Sequence, residues 1–206
     1  MTVREHLEQV QEFLHSDFRR TVRLTTAMLI AAVAMGFLTG RSAPDEVEMV
    51  ISAFMEMIQQ AGVVMEDGEI SVFSLLSNNW QAMMVAMFYG ILPFVHLPSI
   101  VIVSNGLLVG MLGAWFQNQG GSMVAYAAGI LPHGIFELAA LVLAASCGSM
   151  VCRISTNRCL KRPQKEPDVN SFIRAMEVLL FAVAPLTVIA AFIETYITPV
   201  LLQQFM

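Results

Sequence analysis

His133 and Glu137 stand four residues apart in the run Gly129-Ile130-Leu131-Pro132-His133-Gly134-Ile135-Phe136-Glu137. On a helix this spacing puts an imidazole and a carboxylate on one face, about 6 Å apart along the axis. Such a pair can hydrogen-bond, share a proton or bind a cation. The flanking residues, Met123 to Val151, are otherwise apolar. In a bilayer Glu137 would lie near mid-depth, where a charged residue costs ~2.5–3.5 kcal/mol on insertion scales.

Metal chemistry is not expected from this pair alone. The His-Glu-x-x-His pattern of zinc proteases does not occur. Two ligands also fall short of the four of a structural zinc or the three plus water of a catalytic one. His96, the other imidazole close to an apolar run, lies at a span end. Serine and cysteine nucleophiles lack a base at any recognisable spacing, so no catalytic residue, metal or cofactor is expected. Two readings remain open for His133 and Glu137. One is a path for protons or ions that also uses Asn105, an amide near the middle of another apolar run. The other is a buried polar clamp between helices.

The elements that hold these residues follow from composition. Of the 206 residues, 56% are hydrophobic and 13% charged, against roughly 25% charged in soluble domains. The chain reads as a single all-α integral membrane domain with five transmembrane helices. Residues 1–23 form a cytoplasmic amphipathic helix, with Leu7, Val10, Leu14 and Phe18 on one face. The spans follow at 24–40, 80–95, 98–116, 123–151 and 175–200. Residues 41–79 form an extracytoplasmic amphipathic segment, with Ser42 a candidate cap and Pro44 in the first turn. Residues 152–174 form a basic cytoplasmic loop. Pro185 should kink the fifth span, and Glu194 lies near that span's far end. Cys147, Cys152 and Cys159 have no CxxC spacing and read as reduced thiols.

Small residues recur every fourth position in two spans. Ala32, Gly36 and Gly40 mark the first, and Gly106, Gly110 and Ala114 the third. Such faces let helix backbones approach closely. They more often pack two helices of one chain than form a homodimer seam, which stays open as an alternative.

Orientation follows from the basic residues. With the N-terminus inside and the C-terminus outside, ten of the 11 lysines and arginines are cytoplasmic and only Arg41 faces out. Trp80, Trp115, Tyr126 and Tyr196 then fall at the outer ends of their spans. No stripe of basic and aromatic residues is present, so nucleic acid is excluded as a partner and the lipid bilayer is the expected one.

The second and fourth spans are similar at an offset of 39 residues. Met84-Val85-Ala86 matches Met123-Val124-Ala125, and Gly90-Ile91-Leu92-Pro93 matches Gly129-Ile130-Leu131-Pro132. This reads as a parallel repeat, with kinks or breaks expected at Gly90, Pro93, Gly129, Pro132 and Gly134, because proline removes a backbone donor. The copies then diverge: only the second continues into His133 and Glu137.

Asn78-Asn79 at the start of a span, Asn105-Gly106 with Gly110 in the next, and Leu131-Pro132-His133-Gly134-Ile135-Phe136-Glu137-Leu138 together resemble the stage II sporulation protein M (SpoIIM) family. The resemblance is closest from Val72 to Arg153. It implies a membrane protein with no known catalytic activity. Such proteins sit in the sporulation septum and organise two peptidoglycan-degrading partners, sporulation proteins D and P, for engulfment. On this reading the protein is a membrane scaffold; the rival is a small transporter or channel using His133 and Glu137.

Overall fold

The computed structural model describes residues 17–63, 71–162 and 168–204, all of whose regular elements are helical. Residues 1–16 of the expected N-terminal amphipathic helix lie outside the described residues, and 17–23 are the start of the first long helix rather than a separate element. The helices are α1 (Asp17–Ser42), α2 (Pro44–Gln60), α3 (Val72–Phe88), α4 (Leu97–Asn118), α5 (Met123–Cys159), α6 (Asp168–Val178), α7 (Ala184–Phe192) and α8 (Thr198–Leu202). The last three run on through π-helical turns at Leu179–Val183 and Ile193–Ile197.

Among the described residues, four helices are long and apolar enough to cross a membrane: Phe18–Ser42, Leu97–Asn118, Met123–Cys159 and Ser171–Leu202. The expected span 80–95 is different. Its helix, α3, starts at Val72, capped by the Ser71 hydroxyl, which accepts from the Ser74 amide at 3.3 Å. It has 17 residues and ends at Phe88 in a 3-10 turn over Tyr89–Ile91. Two other boundaries also move. α5 continues eight residues past Val151, because no helix breaker intervenes before Lys161, which takes a left-handed φ of 52°. Ser42 does not cap α2; it closes α1, where its hydroxyl donates to the Leu38 carbonyl.

The two Gly-Ile-Leu-Pro copies behave differently. The first ends a helix: Leu92 is extended, as a residue before proline tends to be, and Phe94 after it turns left-handed at φ 67°. The thiol of Cys152 donates towards the Leu92 and Val95 carbonyls, and the Thr156 hydroxyl accepts from the Phe94 amide. The opened turn is thereby tied to α5. At the second copy the expected break does not occur, and α5 runs continuously through Gly129, Pro132 and Gly134. One lost backbone bond is tolerated where the helix is held by neighbours. Gly90, inside the turn that ends α3, is also a contact: a Cβ there would overlap the backbone of Gly148 on α5.

α5 is the axis of the molecule. In its most apolar stretch 61% of residues are buried, against 22–33% in the other three long helices. α3, α4, α6, α7 and α8 all pack on it. α3 lies parallel to it, since Asn79 meets Glu137 and Gly90 meets Gly148 at the same separation of 58 positions. The tightest seam, however, joins α1 to α4. Gly36 faces the Leu107 backbone, Gly106 faces Ala32, Gly110 faces Val33 and Phe37, and Gly40 faces Ala114. Both small-residue faces are thus occupied within the chain. Asn118 closes the seam's end, accepting from Arg41 and donating to the Gly40 carbonyl.

The proline kink expected at Pro185 takes the form of a π turn, and the same device appears twice. Pro185 follows the turn Leu179–Val183 and Pro199 follows Ile193–Ile197, each as the second residue of the next helix. Widening the helix absorbs the donor that proline lacks.

The seam generates a paired prediction. A methyl group at Gly110 would press on α1 backbone, so Gly110→Ala should cost ~1–3 kcal/mol. A Cβ at Gly134 meets only the Ile130 side chain of its own helix, so Gly134→Ala should be neutral within ~1 kcal/mol or stabilising. Thermal unfolding in detergent reads both; equal melting temperatures would contradict the seam.

Candidate functional site

The polar group around His133 and Glu137 forms where α5 meets α3 and the π turn before α8. Helical spacing puts His133 and Glu137 on one face of α5. The π turn adds Glu194 and, at its end, Thr198. Because a π turn carries an extra residue, it turns side chains out of the register of a regular helix, and such turns are frequent at functional sites. α3 contributes Asn79.

His133 is buried, at 8% exposure. Its Nδ1 lies 3.2 Å from Thr198 Oγ1. The threonine hydroxyl donates to the Ile193 carbonyl at 3.3 Å. With that proton on Ile193, the threonine oxygen can accept from an Nδ1–H, the tautomer that leaves the lone pair on Nε2. That Nε2 faces Glu194 Oε2 at 4.0 Å, too far for a direct hydrogen bond. The amide nitrogen of Asn79 donates to Glu137 Oε1. One ligand atom from each of His133, Glu137 and Glu194 lies within 4.8 Å of the other two.

Two carboxylates and an imidazole thus converge in an apolar surrounding. The repulsion between the carboxylates has to be balanced by a proton or a cation. An apolar cavity of about 350 Å³ beside α6 is lined by Trp80, Met84, Phe172, Met176 and Phe181 among others, and by none of the three converging residues.

Asn105 is not part of the group. Its amide donates to the Val101 carbonyl of its own helix at 2.9 Å, so the expected path through His133, Glu137 and Asn105 is not assembled. The half-buried Asn79 supplies the amide instead. Asn105 was the natural candidate because it sits inside an apolar run, but α4 directs it elsewhere. Glu194 and Thr198 carried a weaker signal: a carboxylate and a hydroxyl near the end of the last apolar run, 61 and 65 positions from His133. Cys147 and Cys152 are buried and Cys159 is exposed, all three as free thiols.

Long apolar helices enclosing a polar group define an all-helical integral membrane protein. Its family can be stated more narrowly: over residues 25–199 the chain matches Stage II sporulation protein M, and it belongs to the SpoIIM family. It is also similar to an uncharacterized protein of Methanocaldococcus jannaschii, at 33% identity over 129 residues, or 61% of this chain and 70% of the relative. No solved structure matches. SpoIIM is not a known enzyme family.

The Asn79–Glu137 contact is open to a double-mutant cycle. Asn79→Ala should destabilise by ~1–3 kcal/mol, because it removes the donor to a half-buried carboxylate. Combined with Glu137→Ala, the effects should fall short of additive by at least ~0.5 kcal/mol. Strict additivity in thermal or denaturant unfolding would show that the side chains do not meet.

Proposed function

We propose that the protein is a non-catalytic membrane scaffold that docks an extracytoplasmic partner on α2. The carrying observation is the state of that helix. α2 is held to α4 and α1 through Val47 and Ile51, which are almost fully buried, while Met49, Val50, Met55 and Met57 remain 45–74% exposed among the acidic Asp45, Glu46, Glu48 and Glu56. A helix anchored by one edge, with an apolar and acidic surface left over, suits a protein partner more than it suits solvent.

The topology that gives α2 this role has five spans, N-terminus inside and C-terminus outside. It is supported by the segregation of basic residues and by α3 lying parallel to α5 from Asn79 to Gly90. On this reading, which membership of the SpoIIM family supports, the protein would act in the sporulation septum with the peptidoglycan-degrading sporulation proteins D and P as partners. The chain's own basic loop, with Arg153, Arg158, Lys161 and Arg162, would hold the inner side.

Pull-down from septating cells, read by mass spectrometry, tests this reading. Wall hydrolases should be recovered with the intact chain. They should be lost on deletion of residues 45–70, while Glu137→Gln leaves recruitment unchanged. Recovery without any wall hydrolase would overturn the proposal.

The converging His133, Glu137 and Glu194 favour a second reading, a small transporter. It requires Glu137→Gln to abolish a proton- or ion-dependent flux in liposomes while the protein still assembles. Equal flux in the variant and the original chain would remove it.

A further inference from the structure

We propose that His133, Glu137 and Glu194 bind one first-row divalent transition-metal ion, with zinc or manganese the best chemical fit. The inference goes beyond the scaffold reading and does not depend on it. Three observations carry it.

The donor set comes first. One imidazole nitrogen and two carboxylates, brought together from α5 and the π turn at Ile193–Ile197, supply the three protein ligands of an open metal site. Imidazole disfavours hard cations such as magnesium and calcium, whereas zinc and manganese accept both ligand types. Two carboxylates with one divalent ion are also neutral together, which answers the cost of placing charge among apolar helices.

The second observation is the direction of the histidine. Thr198 takes up Nδ1, which leaves Nε2 facing Glu194 with no hydrogen bond of its own. Their 4.0 Å separation is beyond a hydrogen bond. It is within the roughly 4.2 Å that two metal bonds of 2.0–2.2 Å can bridge. Small rotations of the carboxylates would bring the 4.8 Å group to the roughly 3.3 Å between ligands of a tetrahedral ion.

Third, two of the ligands already have supporting partners. Thr198 holds Nδ1 of His133, and Asn79 donates to one oxygen of Glu137, leaving its other oxygen for an ion. Metal ligands are oriented by outer partners of this kind. A purely protonic clamp would instead be expected to place His133 within hydrogen-bond reach of a carboxylate.

The test uses the full chain in detergent, purified without a polyhistidine tag, stripped with EDTA and reloaded with zinc or manganese. After gel filtration, elemental analysis should find about one equivalent of metal, and excess zinc should raise the melting temperature as a ligand of the folded state does. Glu194→Gln and His133→Ala, checked for folding by gel filtration, should each weaken binding at least about tenfold, in line with the loss expected on damaging a metal site. Cobalt loaded into the unmutated chain provides a reading that needs no variant: visible bands of nitrogen and oxygen ligation support the site. Thiolate charge-transfer bands would place the ion on the cysteines and overturn it. So would the absence of stoichiometric metal in the unmutated chain, or unchanged binding in folded variants.

Discussion

A carboxylate midway along an apolar helix cannot be solvated where it stands, so other helices must bring polar groups to it. Glu137 imposes this constraint on the molecule. The Asn79 amide answers it from α3, and His133 and Glu194 gather beside it from α5 and the last π turn. Three chain segments far apart in sequence are thereby brought to one level of the bundle. The arrangement also gives α5 its place at the centre, since only the most enclosed helix can carry such a group away from lipid.

The rest of the bundle is held by shape. Along α1 and α4 the small residues interlock so closely that a single methyl group would meet backbone. Van der Waals contact drives helix association where lipid is as apolar as the side chains. One seam therefore rests on polar satisfaction and the other on close approach. The end of α3 combines both: Gly90 lies against Gly148, and Cys152 and Thr156 take up backbone groups that the proline turn leaves without helical partners.

Four prolines that fall at or within the apolar helices act in different ways. Pro93 ends α3, Pro132 is carried inside an unbroken helix, and Pro185 and Pro199 each follow a π turn. What differs is the surroundings. Pro93 lies five residues before Pro98, so its segment becomes a turn between helices, whereas Pro132 is followed by a long helical run enclosed by neighbours. The π turns have a functional consequence, because the second one turns Glu194 and Thr198 towards His133.

The sequence by itself determined the helical class, the apolar runs, the family, the small-residue faces and the pairing of His133 with Glu137 on one helix face. All of these depend on composition or on spacings within a few residues, which helical geometry converts directly into position. The tertiary structure decided the outcomes that depend on neighbours. It directed Asn105 to its own backbone and Asn79 to Glu137, and it kept α5 intact through Pro132. It also ended α3 before Pro93 and brought Glu194 and Thr198 to His133. No local pattern announces these, because a hydrogen-bond partner or a third ligand is selected by which helices pack together, and a π turn changes the register that spacing alone would predict.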